Sequence, residues 1–319
     1  MLQQTRVAVV VDRYRAFLER FPTLLALALA PEEEVLALWS GLGYYRRARM
    51  LHKAAQFVAS QLKGQLPASS VDLRSLPGIG VYTAAAIASI ANGEAVAVVD
   101  GNVERVLCRL MGWEAGPQGE SGLRRRIEAL AGELVDPVKP GDFNQAMMEL
   151  GATVCLPRNP QCLLCPMASG CKTRGEHKTA PRPRMLSREV GHALAVRTGR
   201  QAGNASREVL LERRPPSQTV MPGLWELPLL RETRIPDEEL RMTVRHAIMQ
   251  VNYYVRIRTV FEDDAESLTI AGGERRWVPL GEAGGMALTG LARKVLTRTH
   301  LLEGAARDAL TVRADESTD

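Results

Sequence analysis

Four of the five cysteines in this chain fall within seventeen residues, spaced Cys155-x6-Cys162-x2-Cys165-x5-Cys171. Four thiols so close in sequence can converge on one small inorganic core. Thiolate is a soft ligand that iron–sulfur clusters and zinc both accept, so residue type alone does not choose the metal. The gaps say more. Structural zinc sites usually pair two short knuckles across a longer stretch, whereas here a single Cys-x2-Cys knuckle has one cysteine on each side. The spacing therefore favours a [4Fe–4S] cluster on Cys155, Cys162, Cys165 and Cys171, with zinc and disulfides as the alternatives. The fifth cysteine, Cys108, lies in a helical pattern and reads as a small core residue.

At 319 residues the chain is long enough to bury two cores. Val7–Val11 is too short for a signal-peptide core, and Leu24–Ala30 stops at Pro31 before it could span a bilayer. The expectation is a cytoplasmic protein in a reducing compartment, monomeric and without a membrane partner. A net charge of +5 points only weakly to a polyanionic partner. The local pattern is sharper: Arg46, Arg47, Arg49 and Lys53 crowd beside Tyr44 and Tyr45, the mixture of charge and stacking faces that nucleic-acid surfaces use. A solvated helix face is the plainer reading of the same residues.

Residues 1–173 read as almost wholly helical. Arg13–Arg20, Leu24–Ala30, Glu32–Trp39, Ala48–Leu62, Val71–Leu76, Tyr82–Ala91, Val103–Met111 and Leu123–Leu134 carry helix-like apolar spacing, punctuated by prolines and Gly93. Residues 174–186 have no apolar period and two prolines, and read as an extended linker. Beyond it, residues 187–312 read as an α+β domain. His192–Val196, Glu208–Glu212, Asn252–Phe261 and Glu274–Val278 are its predicted strands, and Asp237–Arg241 and Leu291–Leu296 its predicted helices. Residues 313–319 form a tail.

Ser75-Leu-Pro-Gly-Ile-Gly-Val-Tyr-Thr-Ala joins two helical patterns through a tight turn. Glycine lets backbone approach a ligand, and the following helix starts with unpaired N–H groups, so Pro77, Gly78, Ile79 and Gly80 are placed to grip a phosphate. A bland helix connection is the alternative. The segment closely resembles the helix-hairpin-helix of a DNA repair glycosylase superfamily, which places an aspartate about twenty residues after the hairpin. Asp100, in Val98-Val99-Asp100-Gly101-Asn102, supplies it here. Alone, Asp100 would be a turn or helix-start residue. In this order of motifs it is the candidate to stabilise positive charge at an anomeric carbon as a glycosidic bond breaks.

Endonuclease III and adenine DNA glycosylases share that order. Met1-Leu2-Gln3-Gln4-Thr5, Gly41-Leu42-Gly43-Tyr44-Tyr45-Arg46-Arg47-Ala48-Arg49 and Phe143-Asn144-Gln145-Ala146-Met147-Met148 match the MutY-type adenine DNA glycosylase family. Where endonuclease III carries a hairpin lysine, this chain has Tyr82, so Schiff-base lyase chemistry is disfavoured. Arg213-Arg214-Pro215-Pro216, Pro222–Pro228 and Arg245-His246 resemble that family's Nudix-like C-terminal domain, here without the acidic run a pyrophosphatase needs. The resemblance implies a monofunctional enzyme of base excision repair, acting on duplex DNA and associated with the nucleoid through it. It would remove adenine mispaired with 8-oxoguanine or guanine, flipping the base out of the stack. It also implies a catalytic role for Asp100 with Tyr82 beside it and Asn102 holding its geometry. Gln4, Thr5 and Tyr44 would act in the DNA stack, the hairpin would grip the backbone, and His246 would lie near the lesion. The cluster would brace a basic loop carrying Arg158, Lys172 and Arg174.

Two departures carry expectations of their own. The family's lesion-reading loop is Phe-Ser-His, where this chain has Ile248-Met249-Gln250, so discrimination of 8-oxoguanine from guanine is expected to differ. The family's general-acid glutamate lies two residues before the position of Met1. The sequence reading is therefore of an N-terminally truncated chain, from a mis-assigned start codon, that binds mispaired DNA and excises adenine slowly. Protein extended through the upstream in-frame codons should excise faster. The other classes are a DNA-binding protein that finds lesions without excising bases, and an endonuclease III-like glycosylase/lyase.

Overall fold

The computed structural model describes residues 1, 5, 7–114, 119–175, 184–201, 204–248, 250–270 and 272–302. The chain divides into two compact units, one made of residues 1–52 with the chain from 183 onward, the other of residues 53–182.

The first unit opens with α1 (Val7–Arg20), α2 (Leu24–Leu29), α3 (Glu32–Trp39) and the start of α4 (Tyr45–Gln61), which runs on into the second unit. Thr23 begins α2 by accepting from the Ala26 amide at 3.1 Å, a side-chain cap for an otherwise unpaired donor. Phe17 packs edge-on against Phe21 and Trp39, with ring centroids 5.0 and 6.0 Å away.

The rest of this unit is built on β1 (Leu186–Gln201), β2 (Asn204–Arg213), β3 (Trp225–Glu226), β4 (Leu229–Leu230), β5 (Leu240–Ile248), β6 (Val251–Val260), β7 (Thr269–Ile270) and β8 (Arg275–Pro279). Helices α10 (Ala265–Leu268), α11 (Leu280–Ala283) and α12 (Gly290–Arg298) complete it. The first part of β1 pairs with β6 in parallel and its last part with β2 antiparallel, so one long strand serves both halves of the sheet. Strand alternation sorts the core. Leu194, Val209 and Leu211 join Leu288, Leu291 and Val295 in one cluster, while Ala193, Ala195 and Leu210 join Val260 and Ala265 in another. The expected helix at Asp237–Arg241 is not one: the chain turns there and enters β5, which pairs antiparallel with β6. Leu240, Met242 and Val244 alternate with Arg241, Thr243 and Arg245, a period of two that marks a strand and that the helical reading of Asp237–Arg241 passed over.

The second unit holds the rest of α4, α5 (Ser70–Leu73), α6 (Val81–Asn92), α7 (Gly101–Met111), α8 (Gly119–Leu134) and α9 (Pro140–Glu149). A π turn at Leu150–Val154 and a 3-10 turn at Cys162–Leu164 follow. The helix expected over Val71–Leu76 shrinks to the single turn of α5, because Pro77 biases the residue before it away from helix. Helix α9 carries Pro140 at its first turn, the one place a helix tolerates proline, although the residue reads as a breaker in sequence. Val103, Leu107, Ile127 and Ala131 form the core between α7 and α8, with Cys108 packed against it as expected. Burial raises the pKa of the Cys108 thiol. Among the described residues no helix is long and apolar enough to cross a membrane.

Candidate functional site

Helix α7 organises the second unit's chemistry. Its N-cap is Asp100, whose Oδ1 accepts from the Asn102 and Val103 amides, both at 2.8 Å, and whose Oδ2 accepts from the Asn102 side-chain amide at 3.0 Å. The helix therefore starts where the carboxylate sits, and its N-terminal dipole favours a negative group. The segment leading to Asp100 is clamped from α9. Asn144, buried, accepts from the Val98 amide at 2.9 Å and donates to the Val96 carbonyl at 2.9 Å and to the Ser89 hydroxyl at 3.0 Å.

Tyr82 lies in the first turn of α6, half-buried, with its hydroxyl 3.5 Å from the Met148 sulfur. Burial, and then the nearby Asp100 carboxylate, raise its phenol pKa. The phenol thus stays protonated at neutral pH and can donate but does not supply a base. The hairpin before it turns at Gly78, with φ of +79°, and closes with the Ile79 amide on the Leu76 carbonyl at 3.2 Å. Gly80 caps α6 without a side-chain partner, so the first amides of that helix lack a side-chain acceptor.

Two arginines that sequence reading missed tie this corner to the cysteine segment. Arg105 donates to the Asn102 side-chain oxygen at 2.9 Å, the Gly151 carbonyl at 2.6 Å, the Cys155 carbonyl at 2.9 Å and the Gly101 carbonyl at 3.2 Å. Arg109, buried, reaches the Leu156 and Pro157 carbonyls at 2.6 and 3.1 Å and the Cys155 sulfur at 3.5 Å. A Cβ on Gly151 would come within 2.6 Å of the Asn102 Cβ, so glycine is what lets the π turn approach α7. One signal was visible: neither arginine has a carboxylate three or four residues away on α7, so neither can form an ion pair along its own helix.

Cys155, Cys162, Cys165 and Cys171 all line one cavity, together with Arg109, Pro160 and Arg174. None of the five cysteines is disulfide-bonded in this structure. Among the described residues no three or more of His, Cys, Asp and Glu are arranged to hold a metal ion. Arg158 and Lys172 are exposed beside this segment. Arg174 is exposed too, with its guanidinium held on the Ala168 carbonyl at 2.8 Å.

In the first unit, the paired tyrosines separate. Tyr45 is buried and offers no stacking face, whereas Tyr44 is exposed, with the Arg47 guanidinium 5.2 Å from its ring centre. Thr5 donates to the Leu42 carbonyl at 3.4 Å. Gln4 and Met249 lie outside the described residues. Arg49 is also not a free cation: it pairs with Glu32 at 2.8 Å. His246 sits on β5 opposite Tyr253, half-buried against Gly290 at the start of α12. Burial, with Lys294 nearby, lowers its pKa, so it is neutral at pH 7. Ile248 and Gln250 flank the tip of the β5–β6 hairpin.

Residues 1–133 match the family model described as HhH-GPD superfamily base excision DNA repair protein. The adenine DNA glycosylase of Homo sapiens is 40% identical over 294 residues, covering 78% of this chain and 53% of that protein. The Arabidopsis thaliana enzyme is 35% identical over 98% of this chain and 54% of its own length. That of Rattus norvegicus is 53% identical over 173 residues, 54% of this chain and 33% of that protein. The first 133 residues of this chain thus resemble that superfamily, and the chain as a whole is similar to adenine DNA glycosylases. It spans about half the length of the first two of these relatives. The matched residues 1–133 include the hairpin, Tyr82, Asp100, Asn102 and Arg105, but none of the four clustered cysteines.

Proposed function

We propose that this chain is an adenine-specific DNA glycosylase of base excision repair, hydrolysing the bond between adenine and deoxyribose where adenine is mispaired with 8-oxoguanine or guanine. The observation that carries the reading is the Asp100 corner, a carboxylate fixed by three N–H donors beside a protonated Tyr82. The base must leave the stack to reach it. As the glycosidic bond breaks, positive charge develops on the sugar, and the fixed carboxylate stabilises that charge without reorganising. Asn102 holds the carboxylate's orientation. With Tyr82 in place of a lysine, water rather than an enzyme amine takes the sugar, and the strand stays intact. The hairpin Pro77–Gly80 and the open first turn of α6 would hold a phosphate. Gln4, Thr5, Tyr44 and His246 would contact the duplex around the mispair.

Cys155, Cys162, Cys165 and Cys171 would hold a [4Fe–4S] cluster. A lone ion needs converging donors, while thiols spread around one cavity suit a core of several iron and sulfide atoms. The cluster would serve as a brace for the loop that presents Arg158 and Lys172. Protein purified without oxygen should carry about four iron and four sulfide per chain. On a panel of duplexes with adenine opposite 8-oxoguanine, guanine and thymine, single-turnover base release should fall in that order. Zinc without iron would overturn the cluster, and equal release from all three duplexes would overturn the substrate.

A further inference from the structure

Tyr44 is 52% exposed and has φ of +48°, the left-handed region that a bulky side chain rarely adopts. Such a backbone persists only where its surroundings over-determine it. On one side, the Trp39 indole donates to the Gly43 carbonyl at 3.0 Å. On the other, the buried Tyr45 donates its hydroxyl to the Leu288 carbonyl at 3.1 Å and accepts from the Gly41 amide at 3.4 Å. The buried Ser40 donates to the same Leu288 carbonyl at 3.1 Å and accepts from Arg293 Nε at 3.0 Å. Leu288 itself cannot drift. The Trp225 amide donates to the Ala287 carbonyl at 2.9 Å and the Thr289 amide to the Trp225 carbonyl at 2.8 Å, which ties this loop to β3.

We infer that Ser40, Tyr45 and Arg293 are positioning residues through which the C-terminal sheet region presets Tyr44, so that preference for the base opposite adenine is set partly at the Leu288 carbonyl. The inference rests on the proposed adenine glycosylase activity. None of the three need touch DNA. Both lone pairs of the Leu288 carbonyl are used, so removing the Tyr45 hydroxyl leaves Ser40 in place and the fold intact.

The test compares the full chain with Tyr45→Phe, Tyr44→Ser and the double variant. Tyr45→Phe should melt near the parent and excise adenine opposite 8-oxoguanine at nearly the parent rate. It should lose about 3–10-fold of the preference over adenine opposite guanine, the effect of about one hydrogen bond. Amide exchange over residues 41–45 should quicken. In the Tyr44→Ser background, Tyr45→Phe should change the preference no further, because the two act as one unit. Unchanged preference with unchanged exchange would overturn the inference, as would an equal further loss in the Tyr44→Ser background. If the parent released no adenine from either duplex, the functional reading would fail, and the exchange measurement alone would then decide whether Tyr45 holds residues 41–45.

Discussion

Asp100→Asn should lower single-turnover adenine release by roughly 10²–10⁴-fold, the range expected when a charge-stabilising or proton-handling group is lost from a reacting centre. Affinity for the mispaired duplex should be unchanged or tighter. The substitution carries its own control for folding. Asparagine caps a helix about as well as aspartate, and its side-chain oxygen can still accept from the Asn102 and Val103 amides that Asp100 now binds at 2.8 Å. Helix α7 should therefore keep its start, and the melting temperature should stay close to the parent's. What disappears is the negative charge, together with the acceptor that the Asn102 side-chain amide now reaches at 3.0 Å. A loss of activity that tracked a loss of folded protein would mean that Asp100 is only a cap.

Arg105→Leu should have the second largest effect, about 10–100-fold on the chemical step. It removes donors from four acceptors at once, and a hydrogen bond to a charged group is worth about 1.5–3 kcal/mol. The four are the Asn102 side chain and the Gly101, Gly151 and Cys155 carbonyls. Two consequences should separate. Asn102, released from Arg105, orients Asp100 less well, which slows excision at saturating enzyme. The Cys155 carbonyl, also released, loosens the first cysteine of the cavity, so bound iron should be lost faster to a chelator. Arg105→Lys keeps the charge but reaches one acceptor where the guanidinium fork reaches several, and should recover only part of either loss. Wild-type rates in Arg105→Leu would show that the carboxylate is oriented without it.

The parts that were legible in the sequence are those with local grammar. The helix over Glu32–Trp39 was read to its ends because Pro31 precedes it and its apolar spacing is regular. The Asp100 position was legible because an N-cap aspartate before a helical pattern is a local signal, and the hairpin because Gly78 and Gly80 punctuate two helices. Strand β5 was missed although Leu240, Met242 and Val244 alternate with polar residues, because the short stretch Asp237–Arg241 was read as a helix across the strand's start. The links from Arg105 and Arg109 to the cysteine segment were missed because their partners there are backbone carbonyls some fifty residues away, at Gly151, Cys155 and Leu156. Carbonyls leave no mark in a sequence. The pairing of Tyr44 and Tyr45 misled for a related reason: adjacent residues at a helix start point in different directions, and only Tyr44 remains exposed.

The central claim is that Asp100 works with water to free adenine and leave the strand whole. The most direct measurement incubates the protein, in excess, with a duplex carrying one adenine opposite 8-oxoguanine. Released base is identified by mass, and the strand is analysed for nicks and for borohydride-trapped protein. The account predicts free adenine, an abasic strand that breaks only on later alkali treatment, no trapped adduct, and loss of release in Asp100→Asn. A trapped covalent complex, or release that persists at the parent rate in Asp100→Asn, would contradict it.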